Sequence, residues 1–281
     1  MTSCYLMGMI LICVCVLLAS ASGCGSDAGN DGLDVIATNA IAADITRNVA
    51  GPEIDVDTLL PASASPHDYA LSAKDRARIE EADVVVAWGA GLEAGFQLGD
   101  DAVELADDRD DPHIWMDPTL VAAAVPGLTT ALAAADPDHA RAYRRRATAY
   151  RHRLDRLDAE LERAYSAIPP ARRKLVSSHD SIGYLVRRYG FDFVGAPFGV
   201  TPGTEPSAET VSQLIERVER EHVPAVFAED TDDPELMDQI GREAGVEVVD
   251  DLLTEGFGGR VDSYEEMLRY DADRITGALA P

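Results

Sequence analysis

Three histidines occupy settings in which an imidazole could meet a metal ion. His113 lies in the stretch DDPHIWMDP (residues 110–118), between two acidic, proline-bounded steps; His67 lies in LLPASASPHDYA (59–70) and His179 in KLVSSHDSIGYLVRRYG (174–190). Each follows an apolar, strand-like run and precedes a turn or helix start. That is where α/β folds present ligand groups, beyond the carboxyl ends of their strands. Neutral imidazole nitrogen with carboxylate oxygen suits zinc in four-coordinate tetrahedral geometry. We read the three side chains as converging on one ion. The other histidines have plainer settings: His139 and His152 fall on a charged helical stretch, and His222 follows a charged helix end.

Thiolates are excluded as partners by where the cysteines fall. Cys4, Cys13, Cys15 and Cys24 all lie in the first 24 residues. Residues 1–23 carry no charged side chain and contain an apolar run, residues 6–18, of signal-peptide length. Ala21, Ser22 and Gly23 then precede Cys24 as small residues do at a lipoprotein cleavage site. A positive start is lacking, and Ala21 stands where leucine is more usual. The expectation is removal of residues 1–23, lipid on Cys24, and a protein held on the outer face of the cytoplasmic membrane. The mature chain then has no disulfide and no thiolate ligand. Residues 24–33, small and polar, read as a flexible tether.

The remaining elements have to position the histidines. A chain of 281 residues exceeds what one core usually holds, and apolar runs alternate with helical patterns, which implies parallel sheets. One α/β domain is expected over 34–135, with strands near 34–38, 54–60 and 82–89 and an acidic loop, 99–111, delivering His113. Ser72 with Asp75 has capping-box spacing, and Asp117-Pro118 opens a helix that Pro126 should kink. Asp136-Pro137 starts a stretch to Ile168 without further Gly or Pro. It reads as one rigid linker helix of ~45 Å at 1.5 Å per residue. A second α/β domain follows over 169–281, and Asp262 with Glu265 has the capping spacing for its last helix. The expected fold is two α/β domains joined by that helix, with the metal site in the cleft between them. A net charge of −26 argues against nucleic acid, which needs a basic face.

The stretches SPHDYALSAKDRARIEEADVVVAWGAGLE, DPHIWMDP, SSHDSIGYLVRRYG and TEPSAETVSQLIERV, in this order, resemble the metal-binding receptors of zinc and manganese ABC importers. The resemblance covers about residues 34–280. It implies two α/β domains on one long helix, in agreement with the independent reading. It also implies that the histidines of the PH, DPH and SHD elements, here His67, His113 and His179, are ligands. The fourth ligand of the family is a carboxylate, which LLTEGFGGRVDSYEEM matches best with Glu255. Leu253 replaces the family's aromatic residue, so Asp251 is the alternative and Asp250 a weaker one. Glu205 and Glu229, in TEPSA and VFAED, read as structural or supporting groups. Where many zinc receptors carry a histidine-rich loop, this chain has only the compact, aspartate-rich 99–111.

The function implied is capture of Zn(II) outside the membrane and delivery to an ABC permease, with Mn(II) as second choice because manganese favours more oxygen donors. A metallochaperone is a further candidate partner, and a monomer is the expected state. Two other classes compete: a zinc hydrolase with Glu255 as general base, and a surface adhesin with a structural metal. Against catalysis, four protein ligands leave no open position on the ion, HExxH is absent, and the adjacent residues of SSHDS cannot form a serine triad.

Overall fold

The computed structural model describes residues 32–61, 64–106, 109–201, 205–231 and 234–281; the expected signal peptide, Cys24 and most of the tether lie outside them. Four short strands open the described chain: β1 (Val35–Ala37), β2 (Val56–Thr58), β3 (Val84–Ala87) and β4 (Val103–Glu104). They pair in parallel in the order β2-β1-β3-β4. β1 and β3 are buried at every residue, as central strands covered on both faces must be. Helix α1 (Ala40–Ala50) connects β1 to β2 and stops at Gly51, whose φ of 90° only glycine adopts without strain. Helix α2 (Ala73–Glu81) leads to β3, with Ser72 and Asp75 forming the expected reciprocal cap. Residues 99–111, expected as loop, contain β4. Two residues are too few for a legible alternation.

Asp117 caps α3 (Pro118–Ala135) by accepting from Thr119 N, and the helix runs as one element through Pro126. The linker departs from its expected form. Pro137–His139 is a 3-10 turn, capped by Asp136, and the helix proper, α4, is Ala140–Ser166, 27 residues or ~40 Å. Tyr143, Ala147, Tyr150, Leu154, Leu157, Leu161 and Tyr165 recur every three or four residues and are buried. This apolar stripe is what holds α4 to the core, with about 2 kcal/mol from each buried leucine. Its arginines reach in both directions. Arg146 pairs with Glu53 at 2.6 Å and Arg153 with Glu265 at 2.9 Å.

The second half has strands β5 (Lys174–Val176), β6 (Asp192–Gly195), β7 (Ala225–Glu229) and β8 (Glu247–Leu252). β5 pairs with β6 and β7 with β8, and a Ser177–Phe227 bridge joins the two pairs, all in parallel. The resulting order, β6-β5-β7-β8, repeats that of the first half without a sequence repeat. Helices α5 (Gly183–Tyr189), α6 (Ala208–Glu221) and α7 (Pro234–Ala244) make the connections, and α8 (Tyr264–Leu279) ends the chain. The cap of α8 is Ser263, which accepts from Glu266 N, one residue later than expected; Asp262 N instead donates to the Glu266 carboxylate. One apolar core runs from β1 and α1 through α4 to β7 and α8, and residues 32–281 form one compact unit.

α8 buries one acid. Asp271 is fully buried and accepts from Leu253 N at 2.9 Å, while its other oxygen has no partner. Desolvation pushes its pKa well above the ordinary value, and the charges of Asp230 and Glu229 add to that. A folded-state pKa above the unfolded one means the folded chain holds the proton. The stability this brings is complete below the unfolded pKa and is lost as pH rises through the folded one. Asp271→Asn keeps the acceptor for Leu253 and removes the titration. Its melting temperature relative to the parent should climb with pH, by ~3 °C between pH 4 and 8, equivalent to about 1 kcal/mol in a domain of this size. A difference that does not change with pH in calorimetry would refute the assignment.

Candidate metal centre

The three histidines and Glu255 all follow strands, and the two sheets turn those strand ends toward each other. His67 comes after β2, His113 after β4, His179 after β5 and Glu255 after β8. One ligand-type atom from each lies within 4.8 Å of the others. His113 Nε2 is 3.4 Å from His179 Nε2; Glu255 Oε1 is 3.1 Å from His67 Nε2 and 3.6 Å from His179 Nε2. Ligands ~2.0–2.1 Å from a tetrahedral zinc lie about 3.3 Å apart, so these three spacings are close to the edges of such a tetrahedron. The side chains of His67, His179 and Glu255 are each 1% exposed and that of His113 is 0%. His67 Nε2 and Glu255 Oε1 have no hydrogen bond of good geometry despite burial. Orphaned buried polar atoms facing one point are what a cation site requires.

Two of the three imidazoles, those of His113 and His179, are oriented from behind. Asp111 Oδ1 lies 2.8 Å from His113 Nδ1 and accepts from His113 N at 3.0 Å, an arrangement fixed by the rigid Pro112 between them. Glu229, at the end of β7, lies 3.0 Å from His179 Nδ1 and accepts from His179 N, Ser181 Oγ and Thr254 Oγ1. A carboxylate on Nδ1 leaves Nε2 free to ligate and strengthens it as a donor. The support of Glu255 comes from both halves. Trp115 Nε1 donates to the Thr254 carbonyl, Tyr264 Oη to the Trp115 carbonyl at 2.6 Å, and Asn39 Nδ2 to the Glu255 carbonyl at 3.3 Å. The Trp88 indole in turn donates to Asn39 Oδ1 at 3.0 Å.

Protonation suits a cation. Burial pushes the His113 pKa down, only partly offset by Asp111, and so favours the neutral, ligating imidazole. For Asp111, Glu229 and Glu255 burial acts upward. Contacts with His113, His179 and His67 respectively outweigh it and hold all three below the usual carboxylate range. Asp230 behaves oppositely: burial, then the Glu229 charge, raise it to about 6.

Two sequence candidates lie elsewhere. Asp251 does not join the cluster; its carboxylate pairs with Arg260 at 2.8 Å. The β7–β8 register shifts between Phe227 and Glu229, and Asp251 has a φ of 69°. The irregularity turns Asp251 away while the chain goes on to Glu255, as bulges beside functional sites do. Glu205 is exposed ahead of α6, whereas Glu229 is buried beside the His179 ring. Asp111, Asn39, Trp88 and Trp115 were not singled out by sequence reasoning. For Asp111 the signal was present, an acid two residues before a histidine across a proline.

A family model described as ZnuA, zinc-uptake complex component A, periplasmic, matches residues 35–278. The manganese ABC transporter substrate-binding lipoprotein PsaA of Streptococcus mitis is 27% identical over 97% of both chains. The manganese-binding lipoprotein MntA of Halalkalibacterium halodurans is 28% identical over 95% of this chain and 97% of its own. Among solved structures, the periplasmic zinc binding protein TroA from Treponema pallidum superposes with a TM-score of 0.81 at 26% identity, covering 89% of this chain and 100% of that one. With the site, the two-half α/β architecture and the match over the folded length in agreement, the chain belongs to the ZnuA family and is a substrate-binding lipoprotein of a metal ABC transporter, extracytoplasmic and not an enzyme.

Proposed function

We propose that the chain captures one Zn(II) with His67, His113, His179 and Glu255 and delivers it to the transporter's permease. The observation that carries this is the buried set of three imidazole nitrogens and one carboxylate oxygen within 4.8 Å of one another. Nitrogen-rich tetrahedral donation favours zinc over manganese, which prefers more oxygens and higher coordination. Manganese is the second reading, supported by the names of the relatives in Streptococcus mitis and Halalkalibacterium halodurans. The two readings separate in one experiment. The full chain in detergent, stripped with a chelator, is titrated with each ion against a competing chelator. Zinc should bind at one per chain and more tightly than manganese; the reverse order would overturn the zinc assignment. We place the domains at 34–135 and 169–281, with 136–168 as the linker.

Glu229→Gln keeps the shape of the group behind His179 and removes its charge. Zinc affinity should fall about tenfold, the lower end of what loss of an orienting carboxylate costs. Equal affinity of variant and parent in the same competition assay would show that Glu229 does not tune His179.

A further inference from the structure

Most contacts between the halves near the site are buried and form its floor: Trp115 to Thr254, Tyr264 to Trp115, Asn39 to Glu255. One set of contacts lies at the rim and involves a residue that also touches a ligand. Asp111 holds the His113 ring with Oδ1, while its Oδ2 is 3.6 Å from Arg187 Nη2. The Asp111 carbonyl accepts from Tyr184 Oη at 3.1 Å. Tyr184 and Arg187 sit on α5, which begins directly after the His179 loop. The Arg187 guanidinium lies over the Tyr184 ring, 4.3 Å from its centroid, and Arg109 approaches the same ring at 6.0 Å. A Cβ at Gly183 would come 3.4 Å from Asp111 Oδ2 and 3.2 Å from Arg187 Nη1, so α5 approaches Asp111 closely at its first residue.

We propose that Asp111, Tyr184 and Arg187 form a latch between the halves that sets how long the ion stays bound; this rests on the metal-binding reading above. Separation of the halves at the rim must break the contacts of α5 with Asp111. The residue those contacts hold is the one that orients His113, so releasing the latch frees the imidazole to turn away from the ion. Arg187 and Tyr184 touch no ligand, which makes them positioning residues. The Arg187 side chain is 61% exposed and that of Asp111 17%, so salt reaches this ion pair, in contrast to the buried floor.

The test is the rate of zinc loss from the full chain in detergent, driven by excess chelator at low and high salt. The parent should release zinc faster as salt rises. Arg187→Ala should release it roughly threefold faster at low salt, in the range an exposed ion pair supports, and lose the salt dependence. Arg187→Lys should restore part of that dependence. Tyr184→Phe combined with Arg187→Ala should reach roughly tenfold. Parental release rates in the double variant would overturn the latch. So would acceleration that is the same at every salt concentration and is not reversed in Arg187→Lys. Failure of the parent to bind zinc would overturn the latch together with the reading beneath it, and the parent titration reveals that before any variant is compared.

Discussion

Replacing His113 with alanine should lower zinc affinity at least about a hundredfold, since loss of a ligand exceeds the 10- to 100-fold cost of losing a ligand's orienting partner. His113 is fully buried, wedged against Trp115 with ring centroids 5.0 Å apart, and fixed through Nδ1 by Asp111. Alanine leaves a void at one corner of the tetrahedron, and no other described histidine is near enough to move in. His67→Ala and His179→Ala should act similarly, because their centroids lie 5.5 and 5.3 Å from that of His113 in the same cluster. The fourth position supplies an internal control. Glu255→Ala should cost as much as a histidine, whereas Asp251→Ala, which breaks only the pair with Arg260, should change affinity less than about twofold, as surface ion pairs do. Chelator competition on the purified chain measures all five variants. Unaltered affinity in the histidine variants, or a larger loss at Asp251 than at Glu255, would refute the site.

Removing the metal should lower the melting temperature by about 8–16 °C. A ligand that binds only the folded state, present at 1,000 times its Kd, adds about 4 kcal/mol. A domain of this size gains ~2–4 °C for each kcal/mol. The effect should be global, since the ion would join loops after β2 and β4 to loops after β5 and β8 and so tie both sheets together. Calorimetry with zinc and with chelator reads the shift directly. His113→Ala should lose most of it; a full shift retained in that variant would mean that zinc stabilises the chain from somewhere else.

Particular residues show how far the one-dimensional reading reached. The buried strands were legible because runs such as residues 84–87 are apolar throughout and mostly β-branched, and the caps at Ser72 and Asp117 because short polar side chains there accept from the first helical N–H groups. β4 was not legible, being two residues long, nor was the turn at Pro137–His139, where local hydrogen bonding to Asp136 interrupts a stretch of continuous helical propensity. His67, His113 and His179 stood out by local context. Glu255 did not, because Asp251 lies close to it in sequence and only the backbone irregularity in β8 decides which of the two carboxylates faces the histidines.

The sequence by itself determined the class of fold and marked the three imidazoles, both through residue type and near neighbours. Tertiary structure decided what depends on residues far apart in the chain. It brought Glu229 behind His179, 50 positions away, put Trp115 under the Thr254 carbonyl, 139 positions away, and set Arg187 across from Asp111. Hydrophobic pattern specifies that a strand is buried, but it is non-directional and carries no record of which strand end will face which. That choice is made when α1, α3 and α8 pack against α4 and the four loops are brought together.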